Sequence, residues 1–327
     1  MKTKKFAVQA AVPPRDHRPP DHHRAGGRQS RRTGPDGVTP SSRAVNRQGE
    51  ELASMHVTKA GNGGPPLFFV HGLACDATDW RAQIDAFAPR TTVAACDLPG
   101  HGASPAVPAD CTIEAYGRAV AEAVTELGLP PAILVGHSMG CRVVLAANRA
   151  RPDAVAGLVL VDGSRIGAGD PEVAGQTMAD ELVGDGYLRF MQNFFESMFV
   201  PSSDPALAQA IVDRAMRLPA PLGRPLLRDL AGWDAGEVED AIDAVGVPVL
   251  AIQSTTMDTA RERVSLTAGL SSPWIDLVRA HLPGAVVEMI SGTSHFPQIE
   301  RADDVNAAIA RFTMNEQLFP GEGLTLT

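Results

Sequence analysis

The chain has 327 residues, 44% hydrophobic and 20% charged, ordinary proportions for a folded protein with a sizeable core. No apolar run approaches the roughly 18 residues that a membrane span needs, so a soluble, cytoplasmic protein with no membrane partner is expected. The net charge of −9 is uneven: residues 1–40 hold nine Lys/Arg against three Asp, which leaves −15 on the remainder, and an acidic body offers no basic face to a nucleic acid.

Residues 1–40 are rich in Pro, Arg, His and Gly, show no period, and read as a disordered basic leader. The apolar stretch Phe6 to Val12 is short and interrupted by Gln9. Arg31-Arg32 is followed by Thr33-Gly34-Pro35-Asp36, so no export signal is read. The four cysteines, Cys75, Cys96, Cys111 and Cys141, lack C-x-x-C pairing, which suits reduced thiols. Order is expected from about Ser42. A strand at Met55–Lys59 leads through a Gly/Pro turn to Leu67-Phe68-Phe69-Val70. That run is apolar at every position and stops at His71-Gly72, as a buried parallel strand does. A helix over Trp80–Phe87 precedes a strand over Thr92–Cys96, which ends at Asp97-Leu98-Pro99-Gly100-His101-Gly102. Next come a helix over Thr112–Leu127, capped by Thr112, and a strand over Ala132–Val135. The strand runs straight into Gly136-His137-Ser138-Met139-Gly140, followed by a helix over Cys141–Ala150 and a strand over Gly157–Val161 that ends at Asp162-Gly163.

The alternation breaks between about Arg165 and Ala244, where only helical stretches appear, at Glu172–Leu182, Gly186–Phe199, Pro205–Leu218 and Pro221–Leu230. It resumes with a strand over Val247–Ile252, a helix over Trp274–His281, a strand over Val286–Ile290 and a closing helix over Ala302–Phe312. The expected fold class is α/β: a mostly parallel central sheet covered by helices on both faces, with a helical segment inserted between two strands.

Gly136-His137-Ser138-Met139-Gly140 is a G-x-S-x-G sequence between strand and helix. Such a turn pushes a serine hydroxyl clear of the backbone, and the glycines let strand and helix approach. The following helix N-terminus offers free N–H groups to a developing oxyanion. Ser138 is therefore the candidate nucleophile.

Together with Phe69-Val70-His71-Gly72, Asp97-Leu98-Pro99-Gly100-His101-Gly102-Ala103-Ser104 and Gly292-Thr293-Ser294-His295-Phe296-Pro297, this motif resembles the α/β-hydrolase fold family, in its helical-cap branch. The resemblance covers about residues 42–314. It implies a core over 41–164 and 245–315, a cap over 165–244 and a tail over 316–327. It also implies His295 as general base, with His71, His101 and His137 in structural or oxyanion-loop roles. The acid should follow the strand Val247–Ile252, where the family's usual pattern is a glycine followed three residues later by Asp. Here Ser254 replaces the glycine and the carboxylate arrives one place late, as Asp258. Asp258 is the first choice and Asp162, at the end of the preceding strand, the runner-up. The oxyanion hole is expected from the backbone N–H groups of Leu73 and Met139. In the insertion, Phe190, Phe194 and Met198 share one helix face, and Phe195 and Phe199 share another. Phe194 and Phe195 are candidate substrate-pocket residues.

The resemblance implies hydrolysis of a small or medium carboxylic ester or lactone through an acyl-Ser138 intermediate, with a small-molecule ester as the substrate partner and the oligomeric state left open. No cofactor and no metal is expected: His22-His23 in the leader lacks Cys or carboxylate partners at metal-ligand spacing, and no dinucleotide glycine motif follows the first strand. Two alternatives stay open. One is C–C bond cleavage next to a carbonyl, although the loop His71-Gly72-Leu73-Ala74-Cys75-Asp76 lacks the Gly-Pro-Gly of many such hydrolases. The other is a ligand receptor that keeps the triad with little turnover.

Overall fold

A computed structural model of the chain describes residues 55–257, 262–267, 269–315 and 317–319. The expected leader lies outside the described residues, as does the expected tail apart from 317–319.

Among the described residues nine strands form two sheets. The central sheet is built from β1 (His56–Ala60), β2 (Leu67–Val70), β3 (Val93–Asp97), β4 (Ala132–His137), β5 (Val155–Val161), β6 (Val249–Gln253) and β9 (Val286–Met289). Its order is β1-β3-β2-β4-β5-β6-β9, and all pairings are parallel except β1 with β3. Strands β2, β3, β4 and β6 are buried at every position, which is why their sequences are nearly unbroken apolar runs.

Alternate residues of these strands enter two separate cores, as the two-residue period of a strand requires. Phe68, Val70, Ala94, Cys96 and Leu134 pack on one face with α2 (Ile113–Glu126), α3 (Met139–Ala150) and α9 (Pro273–His281). Leu67, Phe69, Val93, Ala95 and Ile133 pack on the other with α1 (Arg81–Phe87) and α11 (Ala302–Thr313), preceded by the short α10 (Pro297–Glu300). Thr112 caps α2, its Oγ1 accepting the Ala115 N–H at 3.1 Å. All four cysteines are free and buried.

Between β5 and β6 the chain forms α4 (Pro171–Glu181), α5 (Gly186–Glu196), α6 (Pro205–Ala215), α7 (Ala220–Gly236) and α8 (Val238–Asp243). Helices α4 and α6 start on Asp-Pro pairs. Asp170 and Asp204 accept N–H groups of the first turn, and the proline occupies a position whose N–H would have no partner. The sequence gives no hint of α8, and α7 runs farther than Leu230.

The second sheet is a hairpin of β7 (Thr255–Met257) and β8 (Arg263–Ser265), antiparallel, with Thr255 opposite Ser265 and Met257 opposite Arg263. The sequence suggests a polar loop here, because three-residue strands are too short to show an alternation. Among the described residues no helix is long and apolar enough to cross a membrane.

Candidate active site

Three non-glycine residues among those described have positive φ: Ala74 at 51°, Ser138 at 53° and Asp162 at 45°. They follow the C-terminal ends of the neighbouring strands β2, β4 and β5. Backbone strain of this kind costs about 1–3 kcal/mol per residue and persists where the surroundings over-determine it. At Ser138 the surroundings are the ends of β4, α3 and β2. A Cβ on Gly136 would lie 2.2 Å from the Gly140 carbonyl oxygen, and one on Gly140 would lie 2.5 Å from that of Val70. Only glycine permits this approach, and the resulting turn lifts the Ser138 side chain to the sheet edge.

There the Ser138 Oγ lies 2.8 Å from His295 Nε2, and His295 Nδ1 lies 2.6 Å from Asp162 Oδ2. The loop bearing His295 is held from several sides. Its backbone N–H donates to the Met198 carbonyl at 3.1 Å, its carbonyl meets His137 Nε2 at 2.7 Å, and Glu300 accepts the Ser294 N–H and Thr293 hydroxyl at 2.7 Å each. Asp162 is equally fixed. Its Oδ1 accepts the N–H groups of Ser254 at 2.7 Å and Thr255 at 3.0 Å, and its Oδ2 accepts the Thr255 hydroxyl at 2.7 Å. Arg263 Nη1 donates to Thr255 Oγ1 at 2.8 Å and stands 3.4 Å from His295 Nδ1.

Electrostatics follow from burial and these partners. Burial alone would raise the Asp162 carboxyl; the His295 hydrogen bond and charge, with Arg263 and Thr255, outweigh it and hold the group at about 2. His295 is pushed below its ordinary value by burial and then by the Arg263 charge, against the pull of Asp162. Near neutral pH this favours an ionised carboxylate beside a neutral imidazole, and a neutral imidazole is a base that can accept a proton. His137, held by burial at about 3, and His101, at about 4, stay neutral. His71 is likewise lowered, chiefly by burial, and clamps the loop after β2: its Nδ1 meets the Gly72 carbonyl at 2.7 Å and its Nε2 accepts the Leu98 N–H at 2.9 Å.

Leu73 follows this clamped turn and is buried. The turn abuts the serine, since a Cβ on Gly72 would lie 3.2 Å from Ser138 Cβ. Met139 opens α3, where a helix's first N–H groups have no intrahelical acceptor. Met139 thus adjoins Ser138 in the chain, and Leu73 follows the glycine that packs against it.

Asp258 lies outside the described residues, and the carboxylate on His295 Nδ1 belongs to Asp162. Phe195 sits in the apolar core, and half-buried Phe194 stacks on Phe190 with ring centroids 5.3 Å apart. From the insertion, Phe199 stacks at 5.4 Å on Phe296, whose ring meets that of His295 at 5.6 Å. Thr255 and Arg263 were not singled out from the sequence. Thr255 could have been, as a hydroxyl directly beyond a strand's C-terminal end; Arg263 carries no such signal. Among the described residues no group of three or more His, Cys, Asp or Glu is placed to hold a metal ion.

A family model described as the alpha/beta hydrolase family matches residues 67–308. The chain belongs to that family. This α/β hydrolase is similar to the dihydrolipoyllysine-residue acetyltransferase component of the acetoin cleaving system of Cupriavidus necator, at 27% identity over 262 residues. That match covers 77% of the chain and only 64% of the relative's length. Among solved structures, the fold resembles a thermophilic esterase from Thermogutta terrifontis, with a TM-score of 0.66 at 23% identity, covering 83% of this chain and 97% of that one. It also resembles the enol-lactonase from Burkholderia xenovorans LB400, with a TM-score of 0.65 at 21% identity, covering 79% and 95%.

Proposed function

We propose that the protein is a serine hydrolase that cleaves a small or medium carboxylic ester or lactone through an acyl-Ser138 intermediate. The observation that carries this is the relay of 2.8 Å from Ser138 Oγ to His295 Nε2 and 2.6 Å from His295 Nδ1 to Asp162 Oδ2. In this proposal the triad acid is Asp162 and not Asp258.

His295 Nε2 takes the hydroxyl proton as Ser138 Oγ attacks the ester carbonyl carbon. Asp162 holds the proton on Nδ1, so that Nε2 is the free lone pair, and stabilises the imidazolium as it forms. The carbonyl oxygen becomes an oxyanion against the N–H groups of Met139 and Leu73. The imidazolium then protonates the departing alkoxide, which leaves acyl-Ser138. Water, deprotonated by the same nitrogen, attacks the acyl carbon; the imidazolium then returns that proton to the departing Ser138 Oγ, which releases the acid and restores the Ser138 hydroxyl and neutral His295. A lactone follows the same steps, its leaving alcohol remaining on the acyl group. The likeness of the fold to the Thermogutta terrifontis esterase and to the Burkholderia xenovorans enol-lactonase supports this class of carbonyl substrate.

The test is a panel of p-nitrophenyl esters of increasing acyl length together with simple lactones, run beside Ser138→Ala. The proposal expects turnover that the variant loses, and one fluorophosphonate adduct, on Ser138. Absence of both turnover and adduct in folded protein overturns it.

A further inference from the structure

Arg263 is a cation whose side chain is only 10% exposed, yet among the described residues no carboxylate grips it in the two-pronged way usual for buried arginine. The Asp162 Oδ2 is 4.0 Å from its Nη1. The Thr255 hydroxyl stands between, donating to Asp162 at 2.7 Å and accepting from Arg263 at 2.8 Å. The same Nη1 lies 3.4 Å from His295 Nδ1, and Arg263 Nε reaches the Ser197 carbonyl, beyond the end of α5, at 3.3 Å.

Other charged or titratable groups face His295 from the remaining elements: Asp162 from the end of β5, His137 from β4 with ring centroids 4.9 Å apart, and Arg142 from α3. Their positions separate them from Arg263. His137 is neutral. The Arg142 charge is met by Asp234 through two bonds of 2.6 and 2.8 Å. Arg263 presents its charge to the imidazole beside the carboxylate it touches only through Thr255.

We infer that Arg263 is a positioning residue of the triad, whose guanidinium fixes the Thr255 hydroxyl on Asp162 and sets a positive charge against the His295 imidazole. The inference rests on the hydrolase mechanism proposed above. A cation at this place disfavours imidazolium, so the base stays competent at lower pH. The same charge makes the imidazolium formed during acylation a better acid toward the leaving alkoxide. The cost is a weaker base, and the firm seat of Asp162 offsets it by holding the productive tautomer.

The experiment is the pH profile of kcat/KM for p-nitrophenyl butyrate in wild type, Arg263→Met, Arg263→Gln and Arg263→Lys, within the range where circular dichroism shows an intact fold. Removing the charge should move the acid limb up by about one pH unit in the Met and Gln variants, while Lys should hold it within about 0.3. Arg263→Met should also lower kcat above the limb by about tenfold, because Thr255 is released. Should the Met variant not fold, the Gln variant reads the charge alone. The His295 ring titration, followed by NMR in the Ser138→Ala background with and without Arg263→Gln, should shift by the same amount and needs no turnover. Failure of the ester mechanism is read separately, from a missing fluorophosphonate adduct on the wild type. An acid limb and a ring titration that do not move in the charge-removing variants, or that move equally in Lys, overturn the inference.

Discussion

Replacing Asp162 with Asn tests the relay directly, because the surrounding hydrogen bonds dictate how the amide must sit. Oδ1 accepts two backbone N–H groups, from Ser254 and Thr255, so the asparagine oxygen takes that place. The NH2 group is then forced into the Oδ2 position, 2.6 Å from His295 Nδ1. A donor there compels Nδ1 to be the acceptor, which puts the ring proton on Nε2, facing Ser138 Oγ at 2.8 Å. The base has no lone pair left for the nucleophile. Wrong-tautomer loss of this kind costs about 10⁴ in kcat in serine proteases, or about 5 kcal/mol of barrier. The fold should lose less than the barrier gains: the four charge-assisted bonds to Asp162 become neutral and the Thr255 hydroxyl loses its acceptor, about 2–4 kcal/mol of a total stability of about 5–15. Initial rates on a p-nitrophenyl ester, with urea denaturation as the control, should therefore show a destabilised but folded protein with kcat down by three to five orders of magnitude. Asp258→Asn, measured beside it, should stay within about threefold of wild type. A folded Asp162→Asn within tenfold of wild type, or an Asp258→Asn as damaged as expected for Asp162, refutes the assignment.

Two further outcomes follow from the same structure. Phe195→Ala should cost about 3–5 kcal/mol in urea denaturation, since the ring is fully buried, whereas Phe199→Ala, on the half-buried ring stacked on Phe296, should change the preferred acyl length with a smaller stability loss. A shift in chain-length preference from Phe195 alone would reverse that division. Stability should also fall in mild acid. His101 and His137 titrate at about 4 and about 3 when folded, far below the roughly 6.5 of an unfolded chain, so the unfolded state takes up protons first. Their contribution is intact above about pH 6.5 and is lost as pH falls toward the folded values. By pH 5 each should cost about 2 kcal/mol, and urea midpoints at pH 7 and pH 5 that coincide would contradict this.

What the sequence reveals of this site depends on how local each signal is. Leu67–Val70 and Ile133–Val135 are apolar on both faces, so their burial in a parallel sheet is legible from the letters alone. Ser138 is legible because its strain needs Gly136 and Gly140 within two residues on either side. The acid is not local. Asp162 stands in Val161-Asp162-Gly163, a setting that fits a turn as well as a catalytic role, and its place is fixed by N–H groups of Ser254 and Thr255, 92 and 93 residues away. The hairpin that brings them in has strands of three residues, too short for periodicity to mark. Arg263 was invisible for the same reason: its importance lies in what the hairpin turns it toward. In the insertion, the helical stretches were legible, while the faces those helices bury depend on packing that the Phe and Met spacing does not specify.

Among the described residues, several bonds tie the insertion to the core around Ser138 and His295, which constrains how the site can work. Arg142, four residues beyond Ser138, donates to the Ser138 carbonyl at 3.1 Å, to that of Ser164, and to Asp234 of α7. Arg214 of α6 grips Asp79, in the turn before α1, at 2.7 and 2.8 Å. The Met198 carbonyl holds the His295 N–H, and that of Ser197 holds Arg263. The Arg142–Asp234 pair is almost wholly buried. A motion that parted α7 from α3 would leave two charges at a dry face, where breaking one such pair costs about 3–5 kcal/mol. Opening on that side is therefore expensive, and the strained turn at Ser138 is held by the same bonds. Selectivity in such an arrangement has to come from side chains such as Phe199 that border a fixed site, because the helices beside the nucleophile are pinned to it.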